Sequence, residues 1–165
     1  MAQAVVSAIG PDRPGIAARL TRVLAEHGAN VADSHMGLLN GRFSMMLVVE
    51  VPEDGDLAGD LAAAARELGL DAVHVEPLAE ALRTQPPSHV VTVYGADHPG
   101  IVAAVTEALA AAGASVTDLR TQLAGELYVM TIEVSGGEGA EAALRDVASA
   151  EGLEVTVRPL ETDVL

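Results

Sequence analysis

The segment GPDRPGI at residues 10–16 returns as GADHPGI at residues 95–101, and both copies contain groups that could bind a small charged molecule. Each copy precedes a predicted helix, and the first turn of a helix offers unpaired N–H groups and a positive dipole end to an anion. Asp12 and Asp97 add carboxylates that could accept hydrogen bonds from an ammonium group. Gly15 and Gly100 leave the backbone open to a ligand, because glycine has no side chain.

The same loops also have a purely structural interpretation. A proline at the first helical position has a suitable φ and lacks an N–H that would be unused there, which would explain Pro14 and Pro99. An aspartate just before such a helix is a good N-cap, so capping alone would account for the two aspartates. Capping and binding are compatible. Arg13 and His98 differ between the copies, and we expect their side chains to be solvated.

The loop is part of a longer repeat that predicts the order of the elements. Short β-branched segments at 4–10 and 89–95 precede the two loops and are typical of strands. Helices are predicted after the loops from apolar residues four apart, namely Ile16, Leu20 and Leu24, and Ile101, Val105 and Leu109. Each helix is expected to end at a glycine, Gly28 or Gly113, in the left-handed position that follows a helix.

Two apolar strands joined by a tight turn follow in each half, near Asn40 and Gly41 or near Gly125. The two hairpins align with a slip of one or two residues. A second helix is then predicted in each half. Its apolar positions in the first half are Leu57, Leu61, Ala64 and Leu68. They align with Ala140, Leu144, Val147 and Glu151 in the second half, where Glu151 breaks the apolar match. Final strands at 70–78 and 153–160 complete the order strand, helix, strand, strand, helix, strand, twice.

This order predicts an α+β protein made of two ferredoxin-like βαββαβ domains, each with an antiparallel four-stranded sheet and both helices on one face. We place the first domain at 1–78, a linker with two adjacent prolines at 79–88, and the second domain at 89–165. Halves of this size are marginally stable alone, so we expect them to pack side by side.

Composition narrows the function classes. The chain has 165 residues, 50% of them hydrophobic, a formal charge of −15 and no cysteine. An acidic protein without a basic patch is not expected to bind nucleic acid directly. The absence of cysteine suits a reducing compartment. No targeting segment or membrane span is predicted, so we expect a soluble, cytoplasmic protein with no membrane partner.

Other chemistry is not supported. GEGAEA at 137–142 fits a loose dinucleotide-binding pattern, but the sheet is predicted antiparallel and an ordinary turn is the better interpretation. DSH at 33–35 cannot form a catalytic triad, because adjacent strand residues point to opposite faces. The five histidines form no helical metal-binding pair. We therefore predict no catalytic residues, no cofactor and no metal.

The motifs DRPG and GANV in the first half, and DHPG and GASV in the second, resemble those of the ACT domain family of amino-acid-sensing modules. A chain of two such domains resembles regulators of the glycine cleavage system repressor type. The resemblance implies that the loop residue pairs with a polar residue at the start of the second strand, Asp12 with Asn30 and Asp97 with Ser115, around a ligand at a domain interface. The implied binding residues are Asp12, Pro14, Gly15, Ile16, Asn30, Asp97, Pro99, Gly100, Ile101 and Ser115.

We therefore expect a regulatory protein, not an enzyme, that binds a small amino acid and signals to a protein partner in transcriptional or metabolic control. That partner would be a regulator or an enzyme. Unpaired sheet edges lead us to expect a homodimer or larger assembly. The alternative is a ligand-free ACT-type assembly module that joins protein subunits and keeps the loops for folding alone.

Overall fold

The computed structural model describes residues 2–52, 55–78 and 85–160. The chain divides into two compact units, Met1–Leu82 and Arg83–Leu165. Residues 79–84 of the predicted linker and residues 161–165 of the predicted second domain lie outside the described residues. The exact bounds 1–78, 79–88 and 89–165 therefore stay predictions.

Each unit contains the predicted order of elements. The first comprises β1 (Ala2–Pro11), α1 (Ile16–Glu26), β2 (Asn30–Leu39), β3 (Arg42–Val51), α2 (Leu57–Leu68) and β4 (Ala72–Pro77). The second comprises β5 (His89–Ala96), α3 (Ile101–Ala111), β6 (Ser115–Ala124), β7 (Leu127–Ser135), a 3₁₀ turn (Gly137–Gly139), α4 (Ala140–Glu151) and β8 (Glu154–Pro159). The first three residues of GEGAEA form this 3₁₀ turn, as expected, and its last three begin α4.

The two sheets are antiparallel, with strand orders β2-β3-β1-β4 and β6-β7-β5-β8. Alternate residues of the inner strand β1, such as Val6 and Ala8, are buried in one core together with Leu20 of α1 and Leu61 of α2. Because successive strand residues point to opposite faces, both helices cover the same face of the sheet. The second unit has a separate core of the same kind. The predicted fold class is confirmed.

The predicted helical stripes are buried. Ile16, Leu20, Leu24, Ile101, Val105 and Leu109 all have exposed fractions of 1% or less. In the second helices, Leu57, Leu61, Ala64, Ala140 and Leu144 are buried, Leu68 and Val147 are half-buried against the cores, and Glu151 lies at the surface. Gly28 and Gly113 follow the first helices with φ values of 66° and 78°, as expected of glycines after a helix.

The alignment of the two hairpins differs from our expectation. Phe43 pairs with Gly10 and Leu38, and Tyr128, 85 positions later, pairs with residues that are also 85 positions later, Gly95 and Leu123. The predicted slip within the hairpins is therefore wrong. The offset changes to 83 only at the next helices, which begin at Leu57 and Ala140. Connections between elements tolerate differences in length better than the elements themselves.

Gly10, the first glycine of the repeated loop, lies at a close approach. A Cβ atom at this position would lie 2.8 Å from Leu70 Cα, which is backbone and cannot rotate away. At Gly95 the nearest atom would be Cδ2 of the flexible Leu153 side chain, and the Leu153 Cα would be 3.7 Å away. Packing against the segment before β4 thus requires glycine more strictly in the first unit.

We expect Gly10→Ala to lower the free energy of unfolding by about 1–3 kcal/mol, because the added methyl group overpacks a backbone contact. Gly37→Ala is the matched control, since Gly37 is also a strand glycine and its Cβ would meet only Ser44 Oγ at 3.6 Å. The control should change the free energy by less than about 0.5 kcal/mol in urea unfolding followed by circular dichroism. Equal losses in the two variants would contradict the packing role of Gly10.

Candidate functional site

The two repeated loops connect the inner strand of each sheet to the first helix. The loop of the first unit is held against the β2–β3 turn, because the Asp12 N–H donates to the Gly41 carbonyl at 3.0 Å. That turn has positive φ at Asn40 and Gly41, 49° and 74°, as a two-residue hairpin requires. Strand, loop, helix and hairpin turn therefore meet at one end of the sheet.

The starts of the helices differ from the sequence prediction. The N-cap residues are Gly15 and Gly100, and neither helix has a side-chain cap hydrogen bond. The prediction that Asp12 and Asp97 cap these helices is therefore wrong. Pro14 and Pro99 lie before the N-cap and not at the first helical position. The reason is the backbone conformation of the glycine, which turns the chain between the proline and the helix.

Gly15 and Gly100 have φ values of 92° and 103°, in the left-handed region. Only glycine adopts this region without strain, so these positions are constrained by conformation. A Cβ atom at either glycine would meet nothing within 4 Å. Open space lies beside both loops, as the sequence led us to expect, but the conformation alone is enough to require glycine.

Asp12 and Asp97 are exposed. Neither carboxylate has a hydrogen-bond or ion-pair partner among residues 2–52, 55–78 and 85–160, and the only hydrogen bond of Asp12 there is that of its backbone N–H. The first turns of α1 and α3 follow directly, and their first N–H groups have no partner within the helix. Each loop thus carries an acceptor carboxylate four residues before the first helical residue, whose N–H is one of the free donors.

Arg13 and His98 turn toward the second helix of their unit. A Cβ at Gly69, which caps the end of α2, would lie 3.5 Å from Arg13 Nη1. His98 Nε2 lies 3.5 Å from Glu151 Oε2 in the last turn of α4, and the His98 side chain is only 35% exposed. The Arg13 guanidinium is a positive group near the carboxyl end of α2, where such a charge is favourable. Arg13 is exposed as predicted, whereas His98 is only partly solvated because its ring contacts Glu151.

Asn30 and Ser115 do not lie near the loops of their own units. Asn30 begins β2 and pairs with Glu50, whereas Asp12 contacts the turn that follows the other end of β2. The strand has 10 residues, so its ends are roughly 30 Å apart at about 3.3 Å per residue. Ser115 likewise begins the 10-residue strand β6. It lines a separate cavity of about 630 Å³ with Gln85, Pro86 and Ser135.

A cavity of about 350 Å³ lies beside the first loop. Asp12, Gly15 and Ile16 from the predicted set line it, together with Arg13. Three further lining residues, Met36, Leu38 and Phe43, were not predicted from the sequence. The alternation of Met36 and Leu38 in a strand was the available signal. In the described parts of the chain, no three His, Asp or Glu side chains come together as they would to hold a metal ion.

The helices of the described segments include none that is long and apolar enough to cross a membrane.

The profile of the ACT domain matches the chain twice, over residues 2–76 and 89–158. The chain belongs to the ACT domain family. The two matches cover most of the sequence, which makes this a tandem ACT protein and confirms the resemblance to the ACT domain family stated from the loop motifs.

Two relatives show how such domains occur elsewhere. A UPF0237 protein of Methanopyrus kandleri is 43% identical over 77 residues, which cover 44% of this chain and 86% of that protein. Phosphoserine phosphatase SerB2 of Mycobacterium tuberculosis is 28% identical over 162 residues, which cover 93% of this chain. The chain spans only 40% of the length of that phosphatase.

Two solved structures share the whole fold. An unknown protein from Galdieria sulphuraria has a TM-score of 0.82 and 29% identity, with 96% of this chain and 98% of that chain covered. A protein described as a glycine cleavage system transcriptional repressor has a TM-score of 0.71 and 16% identity, with 96% and 97% covered. At that identity the second similarity is one of fold.

We expect Gly15→Ala to lower the free energy of unfolding by about 1–2 kcal/mol more than Gly139→Ala, as measured by urea denaturation. Gly139 is also an N-cap glycine, but its φ is −95° and its Cβ would make only ordinary contacts. Glycine is a better N-cap than alanine, so both variants lose this contribution to stability equally. The difference between their free energies of unfolding therefore measures the strain of alanine in the left-handed conformation at position 15. Gly15→Asn should recover part of the loss, since asparagine tolerates this region. Equal losses in the two alanine variants would rule out a conformational requirement at Gly15.

Proposed function

We propose that this ACT protein senses a free α-amino acid through its repeated loops and passes the signal to a protein partner. One observation carries the proposal: the aspartate side chains have no partner among the described residues, whereas the two glycines and the isoleucine that the loops share are explained by folding. Gly10 is required by packing, Gly15 by its φ, and Ile16 by burial at 1% exposure. A residue type repeated without a role in the fold is a candidate for binding.

The chemistry of the loop suits a zwitterion. The first N–H groups of α1 and α3 can donate to a carboxylate at the positive end of the helix dipole. The Asp12 or Asp97 carboxylate can accept from the ammonium group, and a hydrogen bond between charged groups is stronger than a neutral one. The groups that would bind the two ends of the zwitterion thus lie within a few residues of each other in the chain.

Asn30 and Ser115 enter such a site only if a second domain supplies them. β2 and β6 are edge strands of their sheets, and nearly all their residues are exposed. If one of these strands pairs antiparallel with the corresponding strand of a neighbouring ACT domain, the start of one strand lies beside the end of the other. Asn30 or Ser115 then approaches the loop of that neighbour. This arrangement supports a site at a domain interface and a homodimer or larger assembly.

Ligand binding at such an interface would favour one arrangement of the domains through its differential affinity for the two states. The surface offered to a partner, an enzyme or a regulator of transcription or metabolism, would change with it. We also propose that the protein is cytoplasmic, in contact with the pool of free amino acids, and that this chain has no catalytic role.

A ligand-free assembly module is the second candidate. It is favoured by the apolar side chains that the edge strands expose, such as Val31 and Leu39 in β2 and Leu123 in β6, with exposed fractions of 40%, 78% and 56%. Unpaired edges of this kind invite pairing with another strand. In that function the loops would serve only to start the helices.

Thermal melts of the full chain with each of the twenty amino acids separate the two functions. We expect one or a few amino acids to raise the melting temperature selectively, because a ligand at 100 times its Kd stabilises the folded state by about 2.7 kcal/mol. A flat response across the panel would favour the assembly module.

Asp12→Asn and Asp97→Asn test the ammonium role. Neither residue caps a helix, so each substitution should change the free energy of unfolding by less than about 0.5 kcal/mol. The ligand loses a charged acceptor worth about 1.5–3 kcal/mol, which corresponds to a Kd roughly 10 to 150 times higher in calorimetric titration. Asp146→Asn, at an exposed position of α4, removes the same charge away from the loops and should leave the Kd unchanged. Unchanged affinity in both loop variants would exclude the role assigned to these aspartates.

A further inference from the structure

We infer that the amino acid bound at the first loop carries an apolar side chain, with Met36 and Leu38 as the residues that select it. The inference rests on the proposed function and adds the class of ligand. It depends on the cavity of about 350 Å³ beside Asp12. That volume is within the range of small-molecule sites, about 300–1,000 Å³.

The walls of this cavity are apolar side chains that the first unit leaves exposed. Met36 and Leu38 are 53% and 59% exposed, although both lie on the side of the sheet that the helices cover. Their side is given by the register, because Leu38 pairs directly with Phe43, which is 3% exposed within the core. Cross-strand partners point to the same face of a sheet. Phe43 and Ile16 form the buried floor below them.

The polar side chains that line the cavity come from the loop alone. Asp12 and Arg13 are the only lining residues with polar side chains, and the others are glycine, alanine or larger apolar residues. A ligand whose charged end lies at the loop would therefore direct its side chain toward Met36 and Leu38. Met36 and Leu38 offer no hydrogen bond to a polar side chain, which would therefore gain nothing there that water does not already supply. An aliphatic or thioether side chain would instead remove apolar surface from water.

The second unit differs at the corresponding positions. Thr121 stands where the first unit has Met36, and Tyr128 stands in place of Phe43, while Leu123 matches Leu38. Two hydroxyl groups thus replace apolar atoms in the second repeat. The inferred preference therefore applies to the first loop, and the second loop is expected to tolerate a more polar ligand.

The test compares Met36→Thr with Met46→Thr in the full chain. Met46 is 55% exposed, almost the same as Met36, but it lines a different cavity with Ile9 and His35. Leucine, methionine, serine and aspartate are titrated by calorimetry. The five methionine methyl groups are labelled with ¹³C for NMR, and the Met36 signal is assigned from its loss in Met36→Thr.

We expect leucine or methionine to bind more tightly than serine or aspartate and to shift the Met36 methyl signal. Met36→Thr should raise the Kd of the apolar ligand at least tenfold, whereas Met46→Thr should change it less than twofold. Thermal melts of the unliganded variants check that both fold.

Two results overturn the inference and leave the proposed function standing. One is a polar amino acid as the tighter ligand of the first loop. The other is an apolar ligand whose affinity is insensitive to Met36→Thr and whose binding does not move the Met36 methyl signal. If none of the twenty amino acids binds, the proposed function fails, and this inference fails with it.

Discussion

The left-handed glycine before each first helix is the constraint on which both loops depend. Because Gly15 and Gly100 turn the chain at φ values of 92° and 103°, Ile16 and Ile101 enter the core as the first residues of α1 and α3. The preceding aspartate is left outside the first helical turn and cannot cap it. An aspartate N-cap would satisfy the same N–H groups that a ligand needs. The turn thus keeps an acceptor and a set of donors adjacent without pairing them to each other.

The two units support this turn differently. In the first, Gly10 packs against the backbone of Leu70, and the Asp12 N–H is bonded to the Gly41 carbonyl. In the second, the nearest neighbour of Gly95 is a flexible leucine side chain. The first loop is therefore held by backbone contacts on two sides. Fixed groups bind a ligand with less loss of entropy than mobile ones, which favours the first loop as the tighter site.

Much of the fold could be predicted because each half repeats the same periodic signals. The stripe of Ile16, Leu20 and Leu24 reports burial directly, since residues four apart share a helix face. The hairpin alignment was harder, because glycines near a turn, such as Gly41 and Gly125, can be aligned in more than one way. Only the ladder, in which Phe43 and Tyr128 occupy equivalent positions, resolves it. The helix starts were mispredicted because a sequence pattern does not report φ, and a proline before a glycine is compatible with two starts.

The site was less predictable, because it depends on where one edge strand ends relative to a helix. Met36 and Leu38 are ordinary strand residues in the sequence, and only the structure shows that they remain exposed on the helix side of the sheet. The separation of Asp12 from Asn30 follows from topology once β1 and β2 are known to run in the same direction on either side of β3.

The same edge strand supplies both the apolar wall of the first cavity and the unpaired backbone that a neighbouring strand would use. If β2 pairs with another strand, the pairing that brings a second polar residue to the loop also shields Met36 and Leu38 from water. Closure of the pocket and assembly of the domains would then be one event. A ligand that contacts both sides stabilises the paired state only by its extra affinity for that state. Sensing and ligand-free assembly are then two limits of one equilibrium, and what separates them is how strongly the edges pair before a ligand arrives.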